Sequence, residues 1–267
     1  MRSFGACLKK DWIEWFKTGK FAVLTGSLVV LAIVVIIATL YFPSFYKFIL
    51  SVAPSGLLQD LNTVNAMMTD LFPRETLASL GNLSANMGLF YTLIAVLLIN
   101  WLLPKEISSG KWIFPKAVGI REHHLILSKS VACGLGTGLP AALVYIIYYL
   151  IARHLIADTY DLTSVLFNAL LLFIVFYSAA SITVICSVLY KYPVINAVTM
   201  ALAVMILPDV LAFISIGKYF PTYLLTYVYS AETEMVDTII PIAELVALQL
   251  ILMFAAVMKS RKAEVAR

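Results

Sequence analysis

The segment Lys105–Lys129, KEISSGKWIFPKAVGIREHHLILSK, carries five of the chain's nineteen basic residues and two of its three histidines, yet lies between long apolar runs. A helix needs about 20 consecutive apolar residues to cross the hydrocarbon core of a bilayer. Six stretches meet that length: 21–42, 86–104, 130–152, 163–189, 194–216 and 239–258. Within such stretches the backbone must satisfy its own hydrogen bonds, so helix is the economical state. Composition agrees. At 267 residues the chain is 62% hydrophobic and only 13% charged, with a mean hydropathy of +0.95, whereas soluble domains carry about a quarter charged residues. The first run, from Phe21, lacks a small-x-small cleavage pattern after it and reads as a retained span rather than a signal peptide.

Charge then orients the spans. If the N-terminus, the 105–129 segment, the 191–193 link and the 259–267 tail share one side, that side holds fifteen Lys and Arg residues, leaving Lys47, Arg74, Arg153 and Lys218 for the other. The positive-inside rule places the first set in the cytoplasm. The expectation is a single membrane domain over 21–258 with both termini inside and outer loops at 43–85, 153–162 and 217–238. Residues 1–20 precede it as an amphipathic helix. There Phe4, Leu8, Trp12, Trp15 and Phe16 fall within about a 120° stripe at helical spacing, opposite Lys9, Lys10, Glu14 and Lys17. Such a helix lies along the membrane surface, with Trp12 and Trp15 at headgroup depth and Lys9, Lys10 and Lys17 toward anionic lipid.

Motifs that would signal catalysis or cofactor binding fail on spacing. Ser108-Ser109-Gly110-Lys111 contains fragments of an SxxK and of a phosphate-binding loop. The loop pattern, however, needs a glycine where Lys105 stands and a Ser or Thr where Trp112 stands. His123 and His124 are adjacent, so they do not share a metal from one helix face. Cys7, Cys133 and Cys186 match no zinc or disulfide spacing. Gly134, Gly136 and Gly138 sit inside a span, where Gly134 and Gly138 make a small-xxx-small packing pair. No catalytic residue, resident metal or bound cofactor is expected, and nucleic acid is not an expected partner. Two acids, Asp209 and Glu244, fall within apolar runs. Charge there is costly and marks a translocation path by default, although Glu244 near a helix start would also be favoured by the dipole.

Trp112, Ile113 and Phe114 are large apolar groups on the charged side of the membrane. They either pack at the inner membrane surface with snorkelling lysines or enter a partner's cleft as aromatic anchors. Lys105, Lys111, Lys116 and Arg121 would orient that contact. The run Glu106…Gly110…Phe114-Pro115…Gly119…Arg121…Lys129, the basic helix Lys9–Lys20 and Tyr219-Phe220-Pro221 followed by a short apolar helix resemble the permease subunits of ABC-2 type transporters. The layout is similar to that family along the whole chain. It departs in Lys111, where a Thr is common, and in Trp112 and Phe114, where leucines are more usual.

The resemblance implies an all-α polytopic membrane protein of the ABC-2, or type V exporter-like, kind. It would have six transmembrane helices, an N-terminal elbow helix, a coupling helix between the second and third, and short outer helices before the sixth. It implies an ATPase-coupling interface at Glu106, Gly110, Lys111, Trp112, Phe114, Pro115 and Arg121. Its expected partners are two separate ABC ATPase subunits carrying ATP and Mg²⁺, and a second permease copy or paralogue. The setting is the bacterial plasma membrane, and the cargo is a bacteriocin- or lantibiotic-like peptide, a drug or a lipidic molecule. The chain itself is then not an enzyme. A gradient-driven carrier or channel is the alternative; it predicts an inverted repeat, and the elbow and coupling segments have no counterparts in the second half.

Overall fold

The computed structural model describes residues 2–52, 75–108, 115, 117, 119–156, 160–189, 193–205, 207, 210, 221–230 and 235–265. Among them the chain is entirely helical. The elements are α1 (Arg2–Lys17), α2 (Lys20–Val52), α3 (Thr76–Asn86), a π-helical turn (Met87–Tyr91), α4 (Thr92–Ser108), α5 (Glu122–Ile156), α6 (Leu162–Leu189), α7 (Pro193–Met205), a 3₁₀ turn (Pro221–Tyr223), α8 (Leu224–Ser230) and α9 (Met235–Val265). Among the described residues five helical stretches are long and apolar enough to span a membrane: Lys20–Tyr41, Thr76–Asn100, Glu122–Ile156, Leu162–Leu189 and Val236–Lys259. The chain is a multi-pass membrane protein. The expected fifth span, 194–216, is described as α7 plus Leu207 and Val210, its remainder lying outside the described residues.

Helix α6 is the axis of the bundle. Its apolar window is 78% buried, against 17% for the windows of α2 and α9, which turn broad apolar faces outward. The α5–α6 pair is the most extensive contact, and the expected glycine pair makes it. A Cβ on Gly134 would stand 2.6 Å from the Tyr177 ring, and one on Gly138 would stand 2.8 Å from the Phe173 carbonyl oxygen. The Ser130 and Ser181 hydroxyls bond across the same seam. Moving one turn forward along α5 therefore moves the contact one turn back along α6, as an antiparallel pair requires. Thr137 completes the seam, its hydroxyl reaching the Phe176 carbonyl at 3.2 Å.

The second span starts earlier than its apolar run. Residues 76–86 look too polar for a span, yet they form α3, because their polar groups are satisfied locally. The Ser84 hydroxyl donates to the Gly81 carbonyl (2.9 Å) and the Asn86 amide to the Asn82 carbonyl (2.8 Å), while Ser79 bonds to Tyr148 of α5. The π-helical turn then shifts register so that Tyr91 faces inward. Its hydroxyl donates to the Thr137 carbonyl at 2.8 Å, and its ring meets Phe176 edge-on. Pro221–Ser230 dips into the bundle against α3 and α6, burying Leu224, Leu225 and Val228.

At the start of α6, the Asp161 carboxylate accepts the Ser164 backbone N–H (3.1 Å) and the Ser164 hydroxyl (3.2 Å), an N-cap. The backbone bond from Ser164 leads the causes that hold its pKa below the usual carboxylate value. A depressed folded pKa stabilises the fold above the unfolded pKa, and that contribution is lost as pH falls through the folded one. Asp161→Ala is therefore expected to lower the melting temperature at neutral pH, with the gap to the parent closing in acid below the ordinary Asp range. For the α5–α6 seam, Gly138→Val should cost about 1–3 kcal/mol through overpacking against backbone. Gly26→Val, where nothing lies within 4 Å of a new Cβ, should leave the detergent melting curve nearly unchanged.

Candidate functional site

The strongest concentration of buried charge among the described residues lies where α1 meets the first turns of α5. Helix α5 is 35 residues long, about 50 Å at 1.5 Å per residue, and exceeds the roughly 30 Å hydrocarbon layer. Its N-terminal turns, with Glu122, His123, His124, Ser128 and Lys129, project beyond the apolar zone. Helix α1 packs on this projection. Its buried face is Cys7, Asp11 and Trp15, one residue per turn.

Asp11 is held on both oxygens. Oδ2 accepts the Ser128 hydroxyl at 2.7 Å, and Oδ1 accepts Lys129 Nζ at 3.2 Å. Lys129 also stands 3.7 Å from Glu14, and Glu14 stands 3.6 Å from Lys20 at the start of α2. The Asp11 and Lys129 side chains are only 7% and 6% exposed, so this is no solvated surface pair, and each charge depends on its neighbours. Four residues with two charges of each sign thus join three helices. One turn deeper, the Trp15 ring fills the notch left by Gly136, where a Cβ would lie 2.8 Å from the ring. Gly19, at φ +71°, makes the turn from α1 into α2, a backbone state that glycine enters without strain. Burial, with Asp11 adding and Lys10 opposing, pushes the Cys7 thiol above its ordinary pKa, which keeps it protonated and unreactive at neutral pH.

A second polar contact lies toward the same end. Asn196 Nδ2 of α7 donates to Asn100 Oδ1 of α4 at 2.7 Å and to the Thr183 carbonyl of α6 at 3.3 Å. Both asparagines are buried. At the tip of the bundle Lys259 of α9 donates to the Leu189 carbonyl that ends α6.

The expected site residues are distributed as follows. Lys9, Lys10 and Lys17 are exposed on α1, and Trp12 is half-buried with its ring edge-on to Phe16. Trp15 is 2% exposed; it is a core side chain, not one lying free at headgroup depth. Glu14, placed on the outward arc by its helical position, turns to the two lysines. Glu106 belongs to α4, while Gly110, Lys111, Trp112 and Phe114 lie outside the described residues, as does Asp209. Pro115 is helical and half-buried; its carbonyl accepts the Ile120 N–H at 3.0 Å across a turn with Gly119 at φ +82°. Arg121 is exposed, immediately before α5. Glu244 is exposed on α9 and more than two turns beyond Met235, out of reach of the helix-start dipole, which acts within the first turn.

Asp11, Ser128, Asn100 and Asn196 were not singled out by sequence. Asp11 had a legible signal, since it lies at one-turn spacing between Cys7 and Trp15 on what becomes the buried face. The asparagines had none, as each sits singly in its own span. Removing one partner of the buried pair strands the other, so Asp11→Asn or Lys129→Met alone should cost about 3–5 kcal/mol. The double variant Asp11→Asn/Lys129→Met should recover most of that loss in thermal unfolding, because Glu14 and Lys20 still pair.

No protein-family model, curated protein or solved structure matches the chain, and its function is read from its own residues and their geometry.

Proposed function

We propose that this chain is the membrane-spanning permease subunit of an ATP-binding-cassette exporter of the ABC-2 kind. A pair of such subunits would pass a peptide, drug or lipidic molecule outward. The observation that carries the reading is the clasp between α1, α2 and the first turns of α5. A contact that displaces the 105–121 segment displaces the start of α5, and through Lys129 and Trp15 it displaces α1 and α2 as well. Those are the mechanics a coupling segment needs, since force applied at one short stretch becomes a joint movement of several helices.

The chain path supports a sixth crossing. Helix α7 begins beside Asn100 and Thr183, toward the lysine-rich end, and α9 ends there at Lys259, so α9 begins at the far end. Between Pro193 and Met235 the chain would then cross from one side to the other, as a fifth span at 194–216 would take it. With the lysine-rich end in the cytoplasm, α1 is the elbow helix and Lys105–Arg121 faces the ATPases. In that setting Trp112 and Phe114 are the anchors, and Glu106, Gly110, Lys111, Pro115 and Arg121 frame them. Exposed Ile13 and Phe16 on α1 give the elbow an apolar side for lipid. ATP and Mg²⁺ belong to the partner subunits. Asp209 and Glu244 remain candidates for the path, with transport by Asp209→Asn and Glu244→Gln variants as their test.

Copurification tests the proposal directly. The tagged chain, extracted in mild detergent from its own cells, should bring down a P-loop ATPase, and its consistent absence would contradict the reading. Trp112→Ala combined with Phe114→Ala should dissociate or uncouple that ATPase while the permease keeps its melting temperature. An unchanged complex with unchanged substrate-stimulated hydrolysis would remove the coupling role from this segment.

A further inference from the structure

Between α6, α7, α9 and the Pro221–Ser230 segment lies a cavity of about 270 Å³. Its floor is Val175, Ala179 and Ile182 of α6 with Leu225 and Leu245, all buried. At its rim Leu207 and Leu248 are exposed. Every lining residue among the described ones is apolar. On α9, Leu245 and Leu248 lie roughly 16–21 Å along the helix from Lys259 at a rise of 1.5 Å per residue, and Val175 lies midway along α6. The cavity is therefore at the middle of the membrane, and its open side faces hydrocarbon.

Water is a poor occupant, because a stable buried water needs two or more polar partners. An empty space of this size forfeits the dispersion contacts that close packing supplies. A helix from a second copy, about 10 Å across, is too bulky to fill a space of about 270 Å³. The molecules that surround the opening at this depth are lipid chains. They are linear and flexible, and they ask nothing of the wall beyond contact.

We propose that this cavity is a binding slot for a single phospholipid acyl chain, entering sideways between Leu207 and Leu248. The chain's terminal half lies against Val175, Ala179 and Ile182. Lipid tails are as apolar as the wall, so packing rather than transfer from water holds the chain, and occupancy follows from the abundance of lipid. Recognition is of the alkyl chain and not of the headgroup, since among the described residues no charged group lines the slot. An occupied slot sets the spacing of α9 from α6 and supports the Pro221–Ser230 segment from below. The inference rests on the membrane placement of the helices and not on the transport reading.

The test is photolabelling of the full chain in phosphatidylcholine liposomes whose acyl chains carry a diazirine near the methyl end, with no substrate and no ATPase added. Adducts mapped by peptide mass spectrometry should be several-fold more frequent at Met200, Ala203 and Leu245 than at Val30 and Val34 on the exposed face of α2. Ala179→Phe and, separately, Ala203→Phe should reduce the slot adducts several-fold while leaving the α2 adducts unchanged, which also verifies the fold. Slot labelling no stronger than that of α2, or unaffected by either filling substitution, would overturn the proposal. So would a Leu248→Cys chain that forms a copy-to-copy disulfide in the same liposomes while the unsubstituted chain shows no slot adducts, because a second copy would then close the opening. If neither filled variant reconstitutes, the adduct map of the unsubstituted chain decides alone.

Discussion

The close approach of α5 and α6 is the constraint on which the rest of the bundle depends. In a bilayer, burying apolar surface between helices gains little, because the lipid is equally apolar, and association rests on packing and on hydrogen bonds between helices. Gly134 and Gly138 supply the packing by removing every atom that would hold the backbones apart. Ser130, Ser181 and Thr137 supply the polar contacts in the space so opened. Once α6 is seated, it offers surfaces to α4, α7, α8 and α9, while α5 offers its outer face to α1, α2 and α3. The remaining contacts are secondary to this pair, although α7 also packs on α4 and α8 on α3.

The charged end of the molecule obeys different physics. Asp11, Glu14, Lys20 and Lys129 lie where α5 leaves the apolar layer yet are mostly buried, and their mutual contacts offset the desolvation. Replacing the set by apolar residues need not destabilise the fold. What the charges add is definition, since Asp11 reaches both Ser128 and Lys129 only if α1 sits at one height along α5, and Trp15 then meets Gly136. The ion pairs fix register and the ring in its notch fixes depth. An apolar α1 alone would slide along the bundle.

Much of this was legible in the sequence. Runs of apolar residues marked the spans, because their length is set by bilayer thickness rather than by tertiary contacts, and the glycine spacing marked the α5–α6 seam. Three features were not legible, each for a physical reason. Helix α2 continues to Val52 through Pro43 and Lys47, beyond the expected end at 42, because apolar and aromatic residues such as Phe45 and Phe48 extend the pattern and a single proline removes only one backbone donor. The second span reaches back to Thr76 because Ser84 and Asn86 bond within their own helix and Ser79 bonds across to Tyr148, so polarity there does not mean solvent. The amphipathic stripe points Trp15 to the headgroups, yet the ring is buried in the notch at Gly136, which lies about 120 residues away and which no local pattern announces.

Polar links join α3, the π-helical turn, α5 and α6 in the middle and at the far end of the bundle too, so what sets α7 and α9 apart is the apolar cavity between them and α6, and that difference bears on how the bundle moves. Toward the lysine-rich end the helices are joined by polar links with defined partners: Asp11 to Lys129, Asn196 to Asn100 and Lys259 to the end of α6. In the middle, α9 and α7 face α6 across an apolar cavity. Polar links exchange partners in discrete steps, whereas apolar faces in hydrocarbon slide at small cost because lipid replaces whatever contact is lost. A displacement delivered at the start of α5 is therefore carried rigidly into α1 and α2, while α7 and α9 can adjust against α6 across the cavity. The stiff contacts are those that bind α1 and α2 to the start of α5, and the compliant ones surround the cavity beside the Pro221–Ser230 segment.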